Sequence, residues 1–98
     1  MDSGADTTYP MPGNQCMQHC CKIAVTGDKP IMMDYWADSH DSKVVIGVRE
    51  NGEKLLVKNE SEYTSPIAKI YRVDNEYIIM TENSIYIVSD KIATRRIS

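Results

Sequence analysis

No stretch of this 98-residue sequence comes near eighteen consecutive apolar residues, so nothing in it predicts a membrane-spanning helix. Glycine occurs five times, scattered, which excludes a glycine-rich phosphate cradle. Basic residues are in deficit, 11 against 14 acids, and the net charge of −3 disfavours generic binding to a phosphate backbone. The excess is not even: residues 1–50 carry seven acids against four bases, and residues 51–98 carry seven of each. The opening residues lack the basic and apolar regions of a secretory leader, so the expected compartment is the cytoplasm. Three cysteines, Cys16, Cys20 and Cys21, cannot all pair with one another, which suits a reducing compartment. Without an export signal, Asn59-Glu60-Ser61 reads as a chance match to a glycosylation site.

What is present is a set of short apolar runs divided by turn residues. The apolar fraction of 42% suffices for one core, and the length leaves no room for a second domain. Residues 1–15 are polar, with Pro10 and Pro12, and read as a flexible N-terminal arm; residues 16–98 read as a single β domain. Strands are predicted over residues 21–26, 31–36, 43–49, 54–58, 67–73, 77–81 and 85–89. Asn51-Gly52 between two apolar runs predicts a hairpin through a type I′ turn. The connections at residues 74–76 and 82–84 are short enough only for antiparallel neighbours. "NQCMQHCC" is the one candidate helix, about two turns long. The expected fold is all-β, a small antiparallel meander of six or seven strands closing into a barrel or sandwich.

Residues 77–80 and 85–88 are apolar at every position, so both faces of their hairpin need cover. With Glu82-Asn83 at the tip, Met80 opposes Ile85, Ile79 opposes Tyr86 and Ile78 opposes Ile87. One face then carries Ile78, Met80, Ile85 and Ile87, and the other Tyr77, Ile79, Tyr86 and Val88. Cover comes from the N-terminal segment, from a second copy of the chain, or from a partner. Trp36, Tyr71, Tyr77 and Tyr86 are the expected binding surface, because such rings combine apolar area with a polar tip.

Two polar clusters invite chemistry. Cys16, His19, Cys20 and Cys21 offer soft ligands for a metal, but a second ligand pair is missing, and a free-thiol segment at the core edge explains them as well. Asp34, Asp38, His40 and Asp41 would serve acid–base work or hold a divalent cation in a cleft, and a solvated turn otherwise. No nucleophile–base pattern stands out, and no cofactor is expected. Arg95-Arg96-Ile97-Ser98 has the spacing favoured by basophilic kinases, a short and common match.

Residues 28–38 resemble the strand that delivers the dithiol of thioredoxins: Lys29-Pro30, an apolar run, then Asp34-Tyr35-Trp36-Ala37. No Cys-x-x-Cys follows, and a hairpin stands where the family has its long helix. None of that chemistry transfers, and the resemblance is convergent. The reading that follows is a small non-enzymatic interaction module working through protein–protein contacts or self-association as a homo-oligomer. A regulatory or accessory protein of a virus or mobile element has this form. The alternative is a small-ligand or metal-binding barrel using Trp36, His40 and the nearby aspartates, or the Cys/His cluster.

Overall fold

A computed structural model describes residues 11–97; the expected flexibility of residues 1–10 lies outside them. The first element is a helix, α1 (Asn14–Gly27). Its stripe is Cys16, Met17, Cys20, Ile23 and Ala24, spaced three and four apart, with Cys16 and Cys20 fully buried. Gly13 starts it in extended conformation, and Asp28 ends it in the left-handed region at φ 53°, where the Lys29 amide donates to the Ala24 carbonyl at 3.1 Å. Two expectations are corrected here. Asn14 and Gln15, expected in the arm, open α1, and residues 21–26 are helical rather than a strand. β-branched Ile23, Val25 and Thr26 favour a strand locally, but tertiary burial overrides that weak preference. In a strand Ile23 and Val25 would share a face; here Ile23 packs inward and Val25 is 83% exposed.

The strand expected over residues 31–36 is cut to β1 (Ile31–Met32), and the chain turns at once into α2 (Trp36–His40). A turn closed by the Trp36 amide on the Met33 carbonyl at 3.1 Å takes the chain off the sheet edge. Then follow β2 (Val45–Val48), β3 (Lys54–Asn59), β4 (Glu62–Tyr63), β5 (Ile67–Val73), β6 (Glu76–Thr81), β7 (Ile85–Ser89) and β8 (Ala93–Arg96).

These strands form two four-stranded sheets, in the orders β1-β7-β6-β5 and β4-β3-β2-β8. The β2–β3 hairpin and the β5–β6–β7 meander are antiparallel as expected, and Met80↔Ile85, Ile79↔Tyr86 and Ile78↔Ile87 pair in the expected register. The turn at Asn51-Gly52 is corrected. Gly52 has φ 89° but Asn51 is not in the positive region, and the Gly52 amide donates to Arg49 O at 2.9 Å. That is a three-residue loop ending in a left-handed glycine, the next most common hairpin after the two-residue turns.

The simple antiparallel meander is corrected as well. β1 runs parallel to β7, and β8 parallel to β2, so both sheets are mixed. The described residues are 41% strand and 22% helix, mostly β rather than all-β, and no closed barrel forms.

The β6–β7 hairpin is the centre of the molecule, buried on both faces. On one face Ile78, Ile85 and Ile87 pack with Cys16 and Cys20 of α1 and with Trp36. On the other, Ile79 and Val88 pack with Tyr35, Val44, Ile46, Leu56 and Ile92, joining the two sheets in one core. Each fully buried aliphatic side chain is worth about 1.5–3 kcal/mol relative to exposure, so this hairpin anchors both layers. The face that needed cover is covered by the chain's own helix.

Candidate binding site

The four aromatic residues expected to form one surface divide between the two cores. Trp36 is buried on the α1 side, its ring edge-on to His40 at 4.4 Å. Tyr71 is half-buried on that side too. Tyr77 and Tyr86 pack on the opposite side, Tyr86 edge-on to Tyr35 at 5.3 Å between ring centroids. Of the four, Tyr71 is the one that lines a groove described below.

The Asp/His cluster is spread around α2. Asp38 pairs with Lys58 at 3.3 Å, and the Lys58 ammonium also lies 4.5 Å from the centre of the Tyr35 ring. These contacts hold the second sheet against α2. Asp34, His40 and Asp41 are exposed.

The cysteine segment is split by its own helix. Positions 16 and 20 are one turn apart and point into the core, whereas His19 and Cys21 are exposed. Burial, reinforced by Glu76 and Cys20, pushes the Cys16 thiol up to about 12. Burial, with Cys21 second, pushes Cys20 up to about 11. Both are inert thiols at neutral pH. Among the described residues no three of His, Cys, Asp and Glu stand where they could hold a metal ion.

Of the surface grooves, two exceed 600 Å³. One, about 610 Å³, lies on the outer face of the second sheet, with Leu55, Val57, Tyr63 and Ile97 along it and Arg49 at one end. The other, about 650 Å³, runs between α1 and β5. Gln15, His19 and Lys22 form its helical wall, spaced four and three apart, and Ile70, Tyr71 and Arg72 form its strand wall. β5 is the longest strand described and the outermost of its sheet, so among the described residues no strand is hydrogen-bonded to its far side, although β3 comes close to it. Ile70 is 38% exposed there. Arg72 is anchored to Asp90 at 2.9 Å with most of its side chain in solvent, and Lys22 is in no ion pair among the described residues.

This second groove escapes a strand-based reading because half of α1 looks extended. The i, i+4, i+7 spacing of Gln15, His19 and Lys22, set against the Cys16–Cys20 stripe, is the signal that would have found it. The chain matches no protein-family model, no curated protein and no solved structure.

Proposed function

We propose that this chain is a non-enzymatic protein-interaction module that accepts an extended segment of a partner as a fifth strand of the first sheet, on β5, beside α1. The observation that carries the reading is the seven-residue outer strand with a groove between it and a helix. An unpaired strand edge offers a row of backbone donors and acceptors, and a neighbouring helix wall supplies side-chain selectivity. Tyr71 and Ile70 give apolar area and Lys22 places a cation on the helical wall, while Arg72 is paired with Asp90 and Asp74 adds a carboxylate at the strand end. Such a module acts as an accessory or regulatory component, its output being the complex it forms. Self-association through the β6–β7 faces is no part of the proposal, because both faces are already buried.

The test is site-specific photocrosslinking in extract, with the crosslinker at Ile70 and, as control, at Glu50 on the β2–β3 loop. A defined partner segment crosslinked from Ile70 alone, and lost with Tyr71→Ala or Lys22→Glu, is the expected result. Equal labelling from both positions, or capture unaffected by the groove variants, would sink the reading.

A further inference from the structure

A second strand edge carries a more specific message. β8 is the outermost strand of the second sheet, and all four of its residues are exposed. The Ile97 amide donates to the Val48 carbonyl of β2 at 2.9 Å. Residues of one strand alternate in which neighbour their backbone serves, so Ala93 and Arg95 share the inward parity of Ile97. Thr94 and Arg96 therefore turn their N–H and C=O groups to the open side. The side chains alternate as well: Arg95 shares the outer face of the sheet with Ile97, whose Cδ1 overlies Gly47, and Arg96 points to the opposite face. Neither arginine is in an ion pair among the described residues.

We propose that the β8 edge binds an extended acidic peptide segment with two adjacent carboxylates, by strand addition. Adjacent acids in an extended chain project to opposite faces, as Arg95 and Arg96 do, so each guanidinium meets one carboxylate while the backbones pair. A second copy of β8 is the wrong occupant. Whatever the register, pairing "ATRR" with itself brings four arginines and no acid into one short junction. Charge on an edge strand also opposes indiscriminate pairing. A nucleic acid fits less well, because the outward backbone N–H and C=O groups at Thr94 and Arg96 match the backbone of an extended peptide.

The probe is a capped hexapeptide Thr-Val-Glu-Glu-Val-Thr, titrated into the full-length isotope-labelled protein while amide shifts are followed. A version with Lys-Lys at the centre and a single-stranded DNA decamer serve as comparisons. The expected result is a saturable shift of the amides at positions 93–97, absent with the Lys-Lys peptide. Binding should weaken at least about tenfold with Arg95→Glu or Arg96→Glu, as loss of a charge-assisted contact requires. Thr94→Pro removes one outward donor and leaves the ladder to β2 intact, so it should weaken binding by a similar factor without unfolding the protein. Three results would each overturn the proposal: no saturable shift at these amides, unchanged affinity in the proline variant, or tighter binding of the DNA than of the peptide.

Discussion

Glu76 Oε1 accepts a hydrogen bond from the Gly13 amide at 3.3 Å, across 63 positions of sequence. Gly13 begins α1 and has no side chain with which to cap it. The carboxylate of β6 takes that role from outside the helix, at the end where the helix dipole is positive, and it also stands against the Cys16 thiol. The contact fixes where α1 crosses the sheet, and so positions the wall of the β5 groove. Glu76→Ala should cost about 1 kcal/mol, the usual worth of a cap, or roughly 4–8 °C in Tm for a domain of this size. Amide exchange should accelerate in the first turn of α1 well before it does in β6 and β7. Uniform acceleration across the molecule would show that the contact stabilises the sheet rather than the helix.

The parts of this fold legible in the sequence are those encoded by neighbours in the chain. The β6–β7 hairpin was readable pair by pair, because the short link at Glu82-Asn83 leaves no other route and the apolar runs set the register; for β5 and β6 the link at Asp74-Asn75 gave their antiparallel pairing, but not the register shift between Ile67 and Lys69. The parallel pairings were not readable. β1 contributes only Ile31 and Met32 to β7, and "ATRR" of β8 has no apolar period; their place is decided by a sheet assembled from distant residues. α1 was half legible: its second half is β-branched, and the stripe that makes it a helix needs Cys16 and Cys20 counted as core residues. The binding groove went unseen for the same reason, since it exists only once the helix is drawn to Gly27.

The two buried thiols predict an alkaline limit. Cys16 and Cys20 ionise near 12 and 11 when folded and near 9.0 when unfolded, and burial raises Tyr35 from 10.0 to about 12. For groups raised on folding, the unfolded chain releases its protons first as pH rises, so it binds fewer protons and gains stability. The native advantage is therefore complete below about pH 9 and lost progressively up to about pH 12. Urea midpoints should be flat from neutrality to the ordinary thiol value and then fall, and Cys16→Ala with Cys20→Ala should delay the fall to the tyrosine range. A thiol reagent should modify Cys21 quickly in the native protein and the other two only in denaturant.

Ser39 ties α2 to the central sheet. Its hydroxyl donates to the Trp36 carbonyl at 2.6 Å and accepts from the Ser89 amide at 2.9 Å, all of it buried. Ser39→Ala leaves a buried amide at the end of β7 without its acceptor, which costs about 1–3 kcal/mol. The loss should appear in the urea midpoint with an unchanged slope, and the Trp36 emission should shift as α2 loosens over the core. Wild-type stability in this variant would mean that the Ser89 amide finds another acceptor.

Gly47 predicts a change of sign that a lone stability measurement would miss. A Cβ at this position would lie 2.7 Å from Ile97 Cδ1 and 3.0 Å from Val57 Cγ2. Gly47→Ala should therefore destabilise by about 1–3 kcal/mol, the usual cost of overpacking, because the end of the Ile97 side chain must turn away from the added methyl. With Ile97 shortened to Ala, the closest overlap disappears. What remains is the entropic advantage of alanine over glycine in the unfolded chain, about 0.4–1 kcal/mol, against a marginal contact with Val57. In that background Gly47→Ala should be neutral or stabilising. Four urea curves closing a double-mutant cycle measure it, and a coupling of at least about 0.5 kcal/mol is expected. An equal loss in both backgrounds would place the conflict at Val57 and make the β2–β3 pairing, not the Ile97 contact, the reason glycine stands here.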